Sequence, residues 1–563
     1  MRIITPPRES DWIQSLQDVL LMLLLVVATA YRFYGIDNAG LWGAELINAG
    51  NVVHTGWFSM VSSMIYKEID PPGFITLIYL QYEILNGSEF GLRFLSAVAG
   101  VGSIWLLVQM GRLIRVPQAG LLAGTLLAGS FFAVSYSQEA QVYSIFTCVA
   151  LWQSYLFLLL LASGYERASC LDAEGEGDLE NSLASAAVEP DARPAMSLTW
   201  FRIVTLTMFM LGYVSIAILL GEMLACLLLA NIQGPYRENA TRLLRTVFLP
   251  VLGIGLLWLP VANIHLHKAW PLLQWGWLTA ADTKDLEMTV LGYQLWLQLS
   301  LAAAIAGFFV FQVRQFLRKQ TGSLESMLLA ISVLVIVFVV VLVFSKCIMA
   351  WIQFRSWLLV VQPFLFLMAA VALFVPWTNR DADSPSGWVV VLVLIVIVFF
   401  AQIRINYSSG LFNKERKPDL RPAIQLLASD KLFMQGYRPV FMSNASGRYY
   451  LDRYGVNQDD KFIVQASAAS GKAPIADYFA GVDFYYLDIV DSLSMKETSP
   501  MLNELLAQYR VQCLTRFDAV RLIKFEVASP VDPKGNIPPC KDIIDQELPM
   551  TSTPDSQTGV PTP

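Results

Sequence analysis

The chain has 563 residues, of which 55% are hydrophobic and only 15% are charged, and its mean hydropathy is +0.51. A soluble domain carries about one quarter charged residues, so this composition favours an integral membrane protein. The formal net charge of -6 contains no basic excess, which argues against a nucleic-acid-binding protein.

Long apolar runs predict about eleven membrane-spanning helices, because a helix needs about 20 apolar residues to cross a hydrocarbon core about 30 Å thick. The clearest runs are 327–344 and 388–401. The others lie near 18–35, 90–112, 118–135, 141–163, 200–216, 217–233, 245–263, 291–313 and 355–376. The stretch 200–233 is either two short helices or one long one.

The basic residues predict the orientation of these helices. Most Arg and Lys residues between the spans, such as Arg112, Arg115 and Arg318, fall at one set of span ends, which should be cytoplasmic. Eleven spans then place the region after Tyr407 outside. We therefore expect a multi-pass protein of the cell inner (plasma) membrane whose C-terminal domain is periplasmic or extracellular.

Composition divides the chain into four regions. Residues 1–406 form the transmembrane domain, interrupted at 164–195 by a loop rich in Ala, Ser, Glu and Asp that we predict to be disordered and cytoplasmic. Residues 410–528 read as a small α/β domain, with helical spacing in RPAIQLLAS and PMLNELLAQY and strands in PVFMS, VDFYYLDIV and AVRLIKFE. Residues 529–563 are predicted to be a disordered tail.

Two cysteines, Cys513 and Cys540, lie beyond the last span. They form a disulfide if this part of the chain faces an oxidising compartment, and they stay as two thiols otherwise. Both alternatives remain open on the sequence.

The first predicted outer loop, about 35–89, contains a short amphipathic helix in LWGAELINAGNVV. Leu46, Ala49 and Val53 share one face, and Glu45 and Asn48 share another. A carboxylate on a helix at the membrane border is suited to act as a general base. The alternative is a solvated interfacial glutamate without a chemical role.

Three other charged residues stand at predicted outer span ends. Asp70 precedes the helix that starts at Pro-Pro-Gly, where it either caps the helix or orients a phosphate or metal site. Glu139 lies close to membrane depth, where ionisable groups usually have partners or a function. Arg355 is either a snorkelling arginine or a phosphate ligand.

The loop NIHLHKAWPLLQWGWL contains His265, His267 and Trp270. Tryptophans at the membrane border are first of all anchors, and a sugar-stacking role comes second. A His-x-His pair without further ligands is weak evidence for a metal site.

These loops resemble the class C glycosyltransferases, in particular the branch of protein O-mannosyltransferases and lipid A aminoarabinose transferases. The resemblance rests on LWGAELINAGNVVHTGWFS, DPPGFITLIYL, SEFGLRFLSAVAG, GRLIRVPQAGLLAG and SYSQEAQVYS, and it continues more weakly to FRSWLLVVQPFLF. It implies a polyprenyl-phosphate sugar donor, an acceptor protein, lipid or glycan at the outer face, and attack on the sugar with inversion.

The resemblance implies a carboxylate base in the first outer loop, and Glu45 is our choice for it because the family's usual aspartate is absent. Asp70, Glu139, Lys67 and Arg355 would hold the phosphate or a metal, and a divalent ion such as Mg or Mn would bind Asp70 and Glu139. The residues expected to contact the substrates are Asn48, Tyr136, Gln141, His265 and Trp270. We expect Glu45, Asp70, Glu139 and Arg355 to converge on one cavity.

The sequence departs from the family at three places. Ala44 stands where the family usually has the aspartate expected to be the base, and Gln141 stands where it often has an arginine. The pair Ser215-Ile216 replaces a Thr-His or similar polar pair. A catalytically degenerate homologue, which binds a lipid phosphate or a partner protein without turnover, is therefore the alternative to an active enzyme. A transporter is a weaker third reading, because no matched pair of interrupted spans is visible.

Overall fold

The computed structural model describes residues 11–53, 56–67, 70–163, 192–232, 234, 236–270, 323–348, 354–378, 385–408, 419–434, 440–442, 448–455, 463–465, 483–489, 502, 505–506, 509–517, 520–526 and 538–542. The chain forms two compact units. The first unit comprises Met1–Ile36 and Thr55–Phe412, and the second comprises Asp37–His54 and Asn413–Pro563. The beginning of the first predicted outer loop therefore belongs to the same unit as the C-terminal sheet.

Helices make up the described part of the first unit; α2 belongs to the second unit and is given with it below. In chain order they are α1 (Asp11–Phe33), α3 (Trp57–Lys67), α4 (Gly73–Ile84), α5 (Glu89–Leu113), α6 (Pro117–Gly129), α7 (Phe131–Ser137), α8 (Val142–Ala162), α9 (Ala192–Leu211), α10 (Ser215–Asn231), α11 (Arg237–Leu243), α12 (Leu249–Ala269), α13 (Ser323–Ile348), α14 (Phe354–Thr378) and α15 (Pro385–Ser408). A π-helical turn, Leu244–Phe248, joins α11 to α12.

Five helices in the described ranges are long and apolar enough to cross a membrane, and two bent pairs of helices raise this number to seven. This confirms the prediction of a polytopic helical membrane protein. Eleven spans stay a prediction, since three further apolar helices are shorter and the run 291–313 lies outside the described residues.

Two predicted boundaries need correction, and one alternative that the sequence left open is decided. The run 118–135 is not one helix, because the chain bends by 64° between α6 and α7. A second bend of 43° lies between Arg237–Gly253 and Gly255–Lys268, so the described residues contain two bent helix pairs although the sequence showed no matched pair of interrupted spans. The stretch 200–233 contains two helices, and α9 begins at Ala192, four residues inside the loop predicted for 164–195.

Close helix packing in the first unit depends on small residues. Helix α5 packs on α6 and α8, α10 packs on α13, and α14 packs on α6. A methyl group added at Gly111 of α5 would overlap the backbone of Gly120 in α6, so the two helices touch through their main chains. Small residues commonly allow such approaches between membrane helices.

The second unit contains the predicted α/β domain. Its helices are α2 (Gly43–Val52), α16 (Arg421–Ser429), α17 (Lys431–Met434) and α18 (Arg448–Arg453), and its strands are β1 (Val440–Met442), β2 (Ile463–Gln465), β3 (Phe484–Ile489), β4 (Arg510–Phe517) and β5 (Val520–Glu526). The sheet has the order β2-β1-β3-β5-β4, parallel among β2, β1 and β3 and antiparallel among β3, β5 and β4. The sequence patterns located α16, β1, β3 and β5 but missed β2 and β4.

Cys513 in β4 forms a disulfide with Cys540, which decides between the two alternatives left open by the sequence. The backbone N–H of Leu514 also donates to the carbonyl of Pro538 at 3.1 Å. The prediction of a disordered tail over 529–563 is therefore wrong for Pro538–Asp542, because a covalent bond and a backbone hydrogen bond hold this piece against the sheet.

Candidate active site

Polar side chains of the first unit gather around Tyr143, at the start of α8. Its ring meets the rings of Tyr136 and Trp357 edge to face, at centroid distances of 5.4 Å and 5.2 Å. The hydroxyl of Tyr136 lies 2.7 Å from the Oγ atom of Ser356, which also hydrogen bonds the Tyr143 hydroxyl. Helices α7, α8 and α14 are thereby joined at one end by hydroxyl groups.

Two of the predicted carboxylates lie at this place. Asp70 and Glu139 both interact electrostatically with the Tyr143 hydroxyl, so the structure brings them together although 69 residues separate them. Glu139 is buried, whereas Asp70 is exposed. Pro72, and not Asp70, occupies the N-cap position of α4.

His265 of α12 is connected to the same place through Tyr213. Asp70 interacts electrostatically with Tyr213, whose hydroxyl lies 2.7 Å from Nδ1 of His265 and 3.1 Å from Nε1 of Trp258. Nε2 of His265 lies 3.0 Å from the carbonyl oxygen of Ile65. A carbonyl can only accept, so Nε2 carries the proton and Nδ1 accepts from Tyr213.

We call Asp70, Tyr136, Glu139, Tyr143, Tyr213 and His265 the Tyr143 cluster. Both ring nitrogens of His265 are occupied by protein partners, so this residue orients its neighbours instead of binding a ligand directly. The cluster stands at the start of α4, α8 and α14 and at the end of α7, α9 and α12. These are the helix ends that the charge distribution predicts to be on the outer side.

The bend between α6 and α7 turns the chain towards this cluster. Breaking a helix inside apolar surroundings leaves carbonyl groups without intrahelical partners, which is costly unless side chains replace them. Side chains from α1 and α15 do so: Arg32 donates to Leu127 (3.3 Å) and Ala128 (3.3 Å), Gln402 to Leu126 (2.8 Å), and Asn406 to Gly129 (2.9 Å). The Oγ atom of Ser130 then accepts from the N–H of Ala133 at the start of α7.

The chain after α7 holds the end of α1 in return. The Nε2 atom of Gln138 lies within 3.0 to 3.3 Å of the carbonyl oxygens of Tyr31, Arg32 and Tyr34. Arg32 therefore caps α6 while Gln138 caps α1. This mutual arrangement fixes the segment that carries Tyr136 and Glu139.

Glu45 and Asn48 belong to the second unit, on α2. Glu45 is fully buried, together with Leu46 and Ala49, and is therefore not a solvated interfacial residue. Its Oε2 atom accepts a hydrogen bond of 3.3 Å from the backbone N–H of Trp42, so the carboxylate caps the start of its own helix.

The remaining predicted site residues are placed only in part. Lys67 ends α3 and Arg355 is the second residue of α14, but the positions of both side chains lie outside the described structure. Gln141 is buried and its backbone carbonyl accepts from Ser96 at 3.3 Å. Trp270 is exposed and follows α12 directly.

The sequence analysis missed the polar residues that lie inside apolar helices. Arg32, Gln402 and Asn406 are buried, as are Gln153 and Glu222, whose side chains hydrogen bond at 3.3 Å between α8 and α10. A charged or amide side chain within a span signals a partner or a function. This signal was present in the sequence for all five residues.

The described residues include no group of three or more His, Cys, Asp or Glu side chains placed to hold a metal ion. A magnesium ion, however, is often bound by one or two carboxylates together with substrate phosphates. Asp70 and Glu139 provide such a pair of carboxylates near Tyr143. These are the two carboxylates that would hold a divalent ion together with a phosphate.

Comparisons with known proteins agree with this architecture. Residues 70–169, which include Asp70, Tyr136, Glu139 and Tyr143, match the sequence profile of the family described as Dolichyl-phosphate-mannose-protein mannosyltransferase. The crystal structure of ArnT from Cupriavidus metallidurans in the apo state matches with a TM-score of 0.55 at 13% identity, covering 93% of this chain and 100% of that chain. The protein resembles the class C glycosyltransferases.

Further comparisons add detail to the class C likeness. ArnT from the same organism bound to undecaprenyl phosphate matches with a TM-score of 0.51 at 13% identity, covering 91% of this chain and 99% of that one. The oligosaccharyltransferase of Archaeoglobus fulgidus tethered with an acceptor peptide has a TM-score of only 0.44 at 13% identity, over 79% of this chain and 63% of that one. No curated protein matches the chain in sequence. At these identities the structural likenesses establish the class C fold alone.

Proposed function

We propose that this protein is a glycosyltransferase that moves a sugar from a polyprenyl-phosphate donor to an acceptor at the outer face of the membrane. The Tyr143 cluster carries the proposal, because it places an exposed and a buried carboxylate around one phenol where apolar helices end. Its residues from Asp70 to Tyr143 lie within the segment that matches a mannosyltransferase family. The ArnT structure of similar fold, bound to undecaprenyl phosphate, supports a lipid-linked donor.

The donor phosphate would be bound by groups near the Tyr143 cluster. Asp70 and Glu139 would hold Mg²⁺ or Mn²⁺, which would neutralise the charge of the leaving phosphate. Arg355 directly precedes Ser356, the partner of Tyr136, and Lys67 lies three residues before Asp70. Their cationic side chains are suited to the phosphate oxygens.

Glu45 is the proposed base. Its carboxylate takes the proton of the acceptor nucleophile, the nucleophile bonds to the anomeric carbon of the sugar, and the bond from that carbon to the phosphate oxygen breaks. The polyprenyl phosphate leaves with the electron pair, and the configuration inverts because attack and departure occur on opposite faces. Asn48, Gln141 and Trp270 remain proposed substrate contacts, while Tyr136 and His265 position the cluster.

The experiment is transfer by the purified full chain in liposomes, with a panel of polyprenyl-phosphate sugars and release of the lipid phosphate as the readout. We expect release with at least one donor. Glu45→Gln should lower turnover by about 10²- to 10⁴-fold without weakening donor binding. Glu83→Gln, an exposed glutamate on α4, is the matched control and should leave turnover unchanged. Full activity of Glu45→Gln would remove Glu45 as the base.

A degenerate homologue is the second candidate, and Ala44 is the observation that favours it. It predicts tight binding of a polyprenyl phosphate and no turnover with any donor. Ala44→Asp separates the two, since a large gain of turnover would show that the native site lacks its base. An unchanged rate in an active protein would show that Glu45 suffices.

We also propose that the C-terminal domain faces the periplasm or the extracellular space. The disulfide between Cys513 and Cys540 supports this side, because such bonds persist in oxidising compartments. Labelling of a cysteine introduced at the exposed Lys431 by a membrane-impermeant reagent in intact cells tests it. Labelling only after cell lysis would place the domain in the cytoplasm.

A further inference from the structure

Two side chains of the C-terminal part of the second unit hold the turn that precedes α2. Nη1 and Nη2 of Arg421 donate to the carbonyl oxygens of Asp37 and Asn38, at 3.2 Å and 2.6 Å. The hydroxyl of Tyr450 accepts the backbone N–H of Leu41 at 2.6 Å. These bonds connect positions that are separated by 383 to 409 residues in the chain.

The two side chains are themselves fixed in place. The guanidinium of Arg421 is held by the carboxylate of Asp419, with Nε 3.0 Å from both oxygens and Nη2 2.6 Å from Oδ2. Such charge-assisted bonds are stronger than neutral ones and orient the planar group. Tyr450 is fully buried and packs against Tyr449 and Tyr454, at centroid distances of 4.9 Å and 6.5 Å.

The turn fits closely against these groups. A methyl group added at Gly40 would overlap the Asp419 carboxylate and would lie 2.9 Å from the Tyr450 hydroxyl. Only a residue without a side chain brings the main chain this near. The following helix, α2, packs on α18, which contains Tyr450, and buries Leu46 and Ala49.

The held turn leads directly to Glu45. Leu41 is followed by Trp42, whose N–H is bound by the Glu45 carboxylate at 3.3 Å. A shift of the turn would therefore move the N-terminus of α2 and the carboxylate with it. Errors of about 1 Å at a reacting group can lower a rate about 10²-fold.

We propose that Arg421 and Tyr450 are positioning residues, through which the C-terminal domain holds Glu45 in its working position. This inference rests on the proposed function of Glu45 as the base. It gives the C-terminal domain a part in the reaction even though the domain supplies no proposed reacting group.

The test uses Tyr450→Phe and Arg421→Ala in the full chain, with Arg510→Ala as the matched control. Tyr450→Phe keeps the buried ring and removes the hydroxyl that accepts from Leu41, so it should fold even if Arg421→Ala does not. Arg510 lies on the edge strand β4 and forms only a loose, partly exposed ion pair with Glu526 at 4.0 Å. The substitution Arg510→Ala removes one arginine of the same domain without changing the contacts of the turn at 37–41.

The first readout is amide hydrogen exchange of residues 41–53 without substrate, which does not depend on catalysis. We expect exchange about tenfold faster in both variants and unchanged in the control, since each loses a hydrogen bond that holds the turn. Unchanged exchange in Tyr450→Phe would overturn the proposal.

The second readout is kcat and KM for the donor. We expect kcat to fall about tenfold or more with KM within about threefold, because the base moves while the donor site stays intact. Arg421→Lys, which keeps the charge beside Asp419, should recover part of the rate. Faster exchange with an unchanged kcat, in a protein that Glu45→Gln inactivates, would also overturn the proposal. Absence of turnover in the native protein would instead refute the proposed function.

Discussion

Replacing Arg32 by methionine should destabilise the first unit by about 2 kcal/mol. The guanidinium donates to the carbonyl oxygens of Leu127 and Ala128, both at 3.3 Å, where α6 ends at the bend. Arg32 is only 1% exposed, so water does not replace the lost donors without rearrangement. Methionine keeps most of the side-chain length but leaves the carbonyl groups of Leu127 and Ala128 without the N–H donors of Arg32.

The magnitude follows from two opposing effects. Each buried carbonyl left without a donor costs roughly 1–3 kcal/mol, which gives roughly 2–6 kcal/mol for two. Removing Arg32 also removes the cost of burying a cation, which is several kcal/mol in an apolar interior and is only partly offset by the negative end of the α6 dipole. The carbonyl penalty should win by a small margin, so we expect a value near the lower limit.

Stability is measured by unfolding the purified protein in detergent micelles with increasing SDS, followed by tryptophan fluorescence. Thr29→Ala is the control on the same helix, because Thr29 bonds only the carbonyl of Leu25 within its own helix and is exposed. It should change stability by no more than about 0.5 kcal/mol. If Arg32→Met is as stable as Thr29→Ala, the bend does not depend on the guanidinium of Arg32.

Three other predictions concern stability. Cys540→Ser should cost about 3.5 kcal/mol, since the bridge closes a loop across a sequence separation of 27 residues, and added reductant should reproduce the loss in the native protein but not lower the variant further. Gly111→Ala should lower the thermal midpoint because its methyl group meets the main chain at Gly120, whereas Gly50→Ala, with open space beside it, should raise it slightly. Tyr213→Phe should lower the free energy of unfolding by roughly 1–3 kcal/mol, because it removes the hydroxyl that bonds Nδ1 of His265 and the indole N–H of Trp258. An unchanged unfolding midpoint in the same detergent experiment would show that water replaces the hydroxyl.

The helices and most of the strands could be predicted because their signal is local. A run of apolar residues specifies a span wherever the rest of the chain lies, and alternation of side chains specifies strands such as β3 and β5. The bend after Gly129 has only a weak local signal, the pair Gly129-Ser130 within a mostly apolar run. The donors that make the bend possible come from Arg32 and Gln402, which are 95 and 276 residues away from their acceptors.

The candidate site was predictable to the extent that ionisable residues at membrane borders are rare. Asp70 and Glu139 stood out for this reason, and the structure brings both to Tyr143. The role of His265 did not follow from its sequence, because a histidine pair gives no indication that Tyr213 and a backbone carbonyl occupy both ring nitrogens. Satisfaction of hydrogen bonds is a property of the folded neighbourhood and not of the local pattern.

The burial of Glu45 illustrates the same limit and carries a consequence for the C-terminal domain. From the local pattern, Glu45 reads as a residue on the polar face of an amphipathic helix. In the fold it is fully buried, and Arg421 and Tyr450 hold the turn that precedes its helix. A chain that ended at the last span would keep every membrane helix but would lose these contacts to 37–54. Residues 410–528 therefore help to determine the conformation of the first outer loop. Substitutions in either region have to be tested for their effect on the other.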